Sequence, residues 1–364
     1  MSKMSVYSLV TLPIELVYRI LDNLEQSTII FSMRDVCKRL NSIIHTYYRY
    51  QTFTTLNLEE NIMNDEKLKH LANVLKTNTT LKTLDLKCNT IGIQGARYLA
   101  DALRLNTTLT ALSLKDNNID NETAECLPYV LRNTSALRTL NLVDNNIGAQ
   151  GTQYLANALR VNSTLTTFSL ECNNIGVQGA LHIADALKNN RVLTKLNLSQ
   201  NNIGVEGIKY LAEALKTNLT LLTLHLADNG IGDEGTKYLS KALLSNSTIK
   251  TVDIQLNNIG IKGSKYLANV LATNTTLTIL YLGWNNIGAH GTQYLANALC
   301  TNTTLRMLNL CSNKIGSQGA QSLANSLRTN KTLVVLNLER NEINDEEKQY
   351  VTHALQNTPR RIQL

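Results

Sequence analysis

The chain has 364 residues, 43% of them hydrophobic and 17% charged, with a formal net charge of +7 and only 3 prolines. That apolar content sustains a large buried core and excludes wholesale disorder, and no run approaches the roughly eighteen apolar residues of a membrane-spanning helix. The basic balance admits an anionic partner only where charge is clustered, and the 6 cysteines form neither C-x-x-C pairs nor zinc-spaced sets with His, so reduced thiols, no metal and no cofactor are expected.

Residues 1–50 come first and stand apart from the rest. The opening stretch is broken by Glu15 and Arg19, so a secretory signal is not expected and a cytoplasmic (or nuclear) setting is. The segment L-P-I-E-L-V-Y-R-I-L-D-N-L predicts a helix with Leu12, Leu16, Ile20, Leu21 and Leu24 on one face, Pro13 in its first turn and Glu15 at the positive end of its dipole. A second apolar helix is predicted from Ile29 through Val36, Cys37, Leu40, Ile43 and Ile44. About forty residues make little core alone, so these helices must dock on the neighbouring chain, on a partner, or on both.

From Phe53 onward one frame repeats. Leu81, Leu84, Leu86, Asn89 and Ile91 set it, and steps of 28 reproduce it at Leu109, Leu137, Leu165, Leu193, Leu221, Ile249, Leu277, Leu305 and Leu333. Eleven repeats of 28 residues cover 53–360, and Leu364 falls where a twelfth strand would place its leucine. In each repeat T-L-D-L-K alternates with period two, and Ala96, Leu99, Ala102 and Leu103 form a helical stripe. The expected fold is α/β: a solenoid of parallel strands inside and helices outside. It should curve into a horseshoe, because strands space at roughly 4.8 Å and helices at roughly 8–10 Å.

Individual columns have structural readings. The unbroken Asn column (61, 89, 117 and on to 341) suits buried amides that bond the main chain of adjacent turns. The Gly92 column departs from Gly only at Asn64, Asp120 and Asn344, which predicts a left-handed turn position. N-x-S/T triplets at Asn78, Asn106, Asn162, Asn218, Asn246, Asn274 and Asn302 share the helix-to-strand turn, and turn chemistry explains them better than glycosylation. The helix column of Tyr98, Tyr154, Tyr210, Tyr238, Tyr266, Tyr294 and Tyr350 reads as inter-helix packing with surface hydroxyls. Pro128 interrupts the third helix and predicts a kink there. Polar residues of the last repeat suit a cap.

The 28-residue period with a helical second half resembles leucine-rich repeats of the ribonuclease-inhibitor type. L-P-x-E-L-x-x-x-I-L-x-x-L followed by V-C-K-R-L (Leu12 to Leu24, then Val36 to Leu40) resembles an F-box, although Leu40 stands where family members usually carry an aromatic. The resemblance implies a substrate receptor of a cullin-RING ubiquitin ligase. Leu12, Pro13, Leu16, Ile20, Leu21, Val36, Cys37 and Leu40 would dock a Skp-type adaptor, and the repeat domain over 53–364 would hold a target protein. The alternative is a stand-alone binder or inhibitor in which the same helices only cap the solenoid. A regulator of small GTPases is a third reading, lacking the acidic tail common to that family.

Outward strand positions form the expected concave binding face. Trp284, the only tryptophan, lies there with Tyr281, Leu256, Ile279, Met307 and Cys311, and this group reads as the target contact. The face carries more carboxylates than cations, which argues against nucleic acid, and the surplus of positive charge is expected partly on helix lysines 209, 237 and 265. His225, Asp253 and Ser199 are neighbours, but an open face offers no oxyanion donors, so no enzyme is expected. No membrane contact is expected, and the protein alone should be a monomer.

Overall fold

The computed structural model describes residues 53–353 and 361–364, together with Ile14 and Val17. The segment predicted to dock an adaptor, apart from those two positions, lies outside the described residues. The chain divides into two compact units, 1–145 and 146–364. Among the described residues no helix is long and apolar enough to cross a membrane.

In the first unit strands β1 (Thr55–Asn57), β2 (Thr83–Asp85), β3 (Ala111–Ser113) and β4 (Thr139–Asn141) pair in parallel and in chain order. Leu56, Leu84, Leu112 and Leu140 stand opposite one another, each 28 residues from the last. Helices α1 (Asp65–Thr77) and α2 (Ile93–Leu105) follow the first two strands and bury their Ala and Leu stripes. The third repeat has two short helices, α3 (Asn121–Ala124) and α4 (Pro128–Asn133). Pro128 begins α4, so the predicted kink is a complete break: proline has no N–H to continue the α3 ladder.

The second unit continues the pattern with β5 (Thr167–Ser169), β6 (Lys195–Asn197), β7 (Thr223–His225), β8 (Thr251–Asp253), β9 (Ile279–Tyr281), β10 (Met307–Asn309), β11 (Val335–Asn337) and β12 (Arg361–Gln363). Its helices are α5 (Gly148–Leu159), α6 (Gly176–Asn189), α7 (Gly204–Leu215), α8 (Gly232–Ser245), α9 (Ile261–Thr273), α10 (Gly288–Leu299), α11 (Gly316–Thr329) and α12 (Asp345–His353). From α5 to α12 successive helices pack on one another. The core lies between strands and helices: Leu196, Leu224, Leu280 and Leu308 and the helix leucines Leu155, Leu187, Leu211, Leu239, Leu267 and Leu295 are all buried. The last step is shorter than the frame requires. Ile362, not Leu364, pairs opposite Leu336, an offset of 26 residues, and the matching signal is the spacing of Ile362 and Leu364 against Leu336 and Leu338.

The Asn column is a ladder of buried amides. Fully buried Asn201 donates from Nδ2 to the carbonyls of Leu170 (2.8 Å), Ser199 (2.9 Å) and Leu198 (3.1 Å). Its Oδ1 accepts the N–H groups of Asn173 (3.0 Å) and Ile175 (3.3 Å). Sequence reasoning missed a second ladder at the helix-to-strand turn. There Asn218 donates to Leu187 O (2.8 Å) and accepts from Leu221 N (2.9 Å), and Asn106, Asn162, Asn190, Asn246, Asn302 and Asn330 are buried likewise. A buried amide that closes two turns explains the N-x-S/T column without any glycan.

The Gly92 column needs correcting. Gly148, Gly176, Gly204, Gly232, Gly288 and Gly316 do take φ between 58° and 64°, and each donates its N–H to the ladder-Asn carbonyl of the next repeat. Gly92 and Gly260 are extended, with φ of −80° and −108°. Asp65 and Asp233 explain the exceptions: Asp233 Oδ1 on α8 accepts from Gly260 N (2.7 Å) and Gly263 N (2.8 Å), and Asp65 Oδ1 accepts from Gly95 N (3.0 Å). A carboxylate on one helix caps the next, and the glycine turns toward it. Asn64 and Asp120 are extended N-caps of their own helices, accepting from Lys67 N (2.9 Å) and Thr123 N (2.8 Å). The Thr123 bonds hold the Asp120 carboxyl below its ordinary pKa. Asn344 and Glu347 form a reciprocal capping box.

Candidate functional site

The candidate site is built on the strands of the second unit. Strand residues one and three, and the turn that follows, put their side chains on the face away from the helices. The turn residue is Cys172, Gln200, Asp228, Leu256, Trp284, Ser312 and Arg340 in successive repeats, and every one is left-handed, with φ between 51° and 57°. Glu60, Cys88, Asp116 and Asp144 occupy the same position in the first unit with the same backbone. Sequence reasoning recognised this column as exposed but missed its conformation, since it contains no glycine at all.

Trp284 is 48% exposed and Leu256, on the preceding repeat, is 44% exposed. The Arg340 guanidinium lies 5.4 Å from the Trp284 ring centroid and holds the indole from one side. Ile279 and Met307 are half-buried and directly opposite in register, with Val335 next in line. Tyr281 and Cys311 are half-buried as well. Gly283 leaves the gap at the centre: a Cβ there would sit 2.6 Å from Cys311 Sγ and 2.7 Å from Gln255 Oε1. Through this gap Asn309 Nδ2 donates to Gln255 Oε1 across two repeats (3.3 Å). Burial pushes the Cys311 thiol up, so it is a protonated packing group at neutral pH.

The other candidate chemistries have structural accounts. His225 Nδ1 and Asp253 Oδ2 lie 3.3 Å apart, while the buried Ser199 hydroxyl oxygen accepts from Ala227 N (3.2 Å). That bond uses Ser199 to brace the next strand. Glu59, Glu60 and Cys88 bring three ligand atoms within 4.8 Å of one another. Lys87 already ion-pairs with Glu59, and desolvation together with the hydrogen bond to Asp116 pushes the Cys88 thiol up, which makes the cluster a poor cation cage. The helix lysines are not the free surplus the sequence suggested: Lys209 pairs with Glu206 (3.2 Å) and Lys237 with Glu234 (3.0 Å). Lys265 lies over Tyr294, 5.8 Å from its ring centroid. In the tyrosine column Tyr98, Tyr154, Tyr210, Tyr238, Tyr266 and Tyr350 are half-buried and Tyr294 is exposed, and cations lie over Tyr238, Tyr294 and Tyr350.

Of the residues expected to contact a target, Leu256, Ile279, Tyr281, Trp284, Met307 and Cys311 all lie on strands β8–β10 or the turns after them. The expected adaptor contacts, Leu12, Pro13, Leu16, Ile20, Leu21, Val36, Cys37 and Leu40, all lie outside the described residues.

Comparison with known proteins adds the family. The sequence profile described as Leucine Rich repeat matches ten segments: 77–100, 105–127, 135–156, 161–184, 189–212, 217–240, 245–268, 273–296, 301–324 and 329–346. The profile described as F-box domain matches residues 9–52. No curated protein sequence matches the chain significantly. Among solved structures, an internalin from Listeria monocytogenes is 19% identical with a TM-score of 0.51, covering 93% of this chain and 96% of that one. It is a likeness of fold alone. Actin-binding site 2 of leiomodin-1 is 23% identical (TM-score 0.36, 40% of this chain and 85% of that one). The C-terminal domain of Caenorhabditis elegans tropomodulin is 14% identical (TM-score 0.37, 41% and 91%). With repeats filling most of its length and an F-box domain over 9–52, the chain belongs to the leucine-rich repeat family and is an F-box protein with leucine-rich repeats.

Proposed function

We propose that the chain is the substrate-recognition subunit of an SCF-type cullin-RING ubiquitin ligase. The observation that carries this reading is the joining of an F-box, over 9–52, to a repeat stack with an exposed aromatic and aliphatic face. The F-box docks a Skp-type adaptor, and through it a cullin, using Leu12, Pro13, Leu16, Ile20, Leu21, Val36, Cys37 and Leu40. The target sits on Leu256, Ile279, Tyr281, Trp284, Met307 and Cys311. Recruitment, not bond chemistry, is the chain's own task; the transfer of ubiquitin belongs to the ligase it joins.

A pull-down of the purified full-length protein on a Skp adaptor tests this, beside Leu12→Ala/Pro13→Ala and Trp284→Ala variants shown to be folded by circular dichroism. Adaptor binding should vanish in the first variant and persist in the second. A folded wild-type protein that fails to bind any Skp adaptor would overturn the reading and leave a binding scaffold whose N-terminal helices only cap it.

A further inference from the structure

The strand face of the second unit is electrically polarised across the strands. At the strand starts lie Lys195, Lys250, Arg306 and Arg361, all exposed. None has a carboxylate within ion-pairing distance among the described residues. Four helix lysines of the same unit contrast with them: Lys188, Lys209, Lys216 and Lys237 each pair with an acid three residues earlier. Exposed cations without a carboxylate partner among the described residues also occur on the helices of this unit, at Arg160, Lys241 and Lys262; what sets Lys250 and Arg306 apart is that they directly precede β8 and β10, beside the apolar residues. At the strand ends and the turns after them the sign reverses, with Glu171, Asp228, Asp253 and Glu339 against Arg340 alone.

Between the two rims lies the apolar ground of Ile279, Tyr281, Met307 and Trp284. Arg306 directly precedes Met307, and Lys250 holds the same position two strands earlier, so the two cations are roughly 10 Å apart and flank the apolar strip. We propose that this face binds a protein segment carrying a large apolar side chain next to carboxylates, with the apolar group over Ile279, Met307 and Trp284 and the carboxylates on Lys250 and Arg306. This inference rests on the receptor reading only in calling the segment a target; the chemistry stands on the face itself. Polyphosphate chains fit poorly, because they have nothing to bury at the centre and meet the acidic rim.

The test is a selection of random 12-residue peptides displayed on phage against full-length protein, followed by titration of the enriched synthetic peptides. Trp284, the only tryptophan in the chain, reports occupancy of this face by its fluorescence. Enriched peptides should place Asp or Glu beside Leu, Ile, Phe or Trp. Their affinity should fall at least tenfold in a Lys250→Glu/Arg306→Glu variant, which changes only exposed groups, and should weaken with added salt. No enrichment, enrichment without carboxylates, an acid preference unchanged in the charge-reversed variant, or tighter binding of a 12-nucleotide single-stranded DNA would each overturn the proposal. The charge-reversed variant should still bind the Skp adaptor, so failure here and failure of the receptor reading give different results.

Discussion

A left-handed backbone costs a non-glycine residue roughly 1–2 kcal/mol, yet the eleven turn residues from Glu60 to Arg340 all accept it. Ser312 isolates this cost, since its backbone N–H bonds Glu339 O (2.9 Å) and would continue to do so in glycine. Glycine also raises the entropy of the unfolded chain, worth about 0.5–1 kcal/mol against folding. The strain term is the larger, so Ser312→Gly should stabilise by up to about 1 kcal/mol, measured as a higher urea midpoint at unchanged slope. The Asn ladder works in the opposite sense. Removing the Asn201 amide strands the N–H groups of Asn173 and Ile175 in the core, while the carbonyls of Leu170, Leu198 and Ser199 each keep one other donor, so Asn201→Ala should cost about 3 kcal/mol. Asn201→Asp should cost more still, because a buried carboxylate would face three carbonyl oxygens with nothing to donate. Urea titration of the two variants ranks them, and Asp tolerated better than Ala would refute the ladder account.

Between elements the governing interaction is capping from one repeat to the next. Asp233 sits on α8 but satisfies the amides that open α9, so its loss should be felt one helix away. Asp233→Ala should destabilise by about 1 kcal/mol and speed amide exchange at Gly263 more than anywhere on α8. Gly260 would then turn left-handed like its neighbours, which limits the damage. The sequence carried the period, the strand and helix faces and the Asn ladder plainly, because each is a residue type repeated at fixed spacing. It did not carry the cap, since Asp65 and Asp233 occur in only a few repeats and act on the next one. The same holds for the left-handed turn of Trp284: glycine is the usual marker of positive φ, and that column has none. The shortened step to β12 was legible in the pair Ile362 and Leu364 but was masked by the unbroken frame before it.

On the scale of the whole molecule, residues that touch only their neighbouring repeats make a chain of local couplings. In the second unit the helices contact one another strictly in sequence, and the long-reaching side chains, Gln255 to Asn309 and Arg340 to Trp284, span two repeats at most. The proposed binding chemistry is equally local: the apolar residues belong to β9, β10 and the turns after β8 and β9, and the exposed cations Lys250 and Arg306 directly precede β8 and β10. The candidate site was therefore legible as a cluster of residue types, while the charge polarity was not. The sequence places lysines on helices and strands alike and only the paired geometry of Glu206 with Lys209, or Glu234 with Lys237, separates neutralised from available charge. Locality also bears on how the two proposed binding functions combine. Substitutions that share no partner usually have additive effects within about 0.5 kcal/mol. Leu12→Ala/Pro13→Ala should therefore abolish adaptor binding yet leave the affinity of an acidic, apolar peptide for the Trp284 face within about twofold, followed by tryptophan fluorescence. A fall of tenfold or more in a folded variant would mean that the F-box segment contributes to the strand face itself, and a receptor with two independent ends would have to be replaced by one with a single, continuous site.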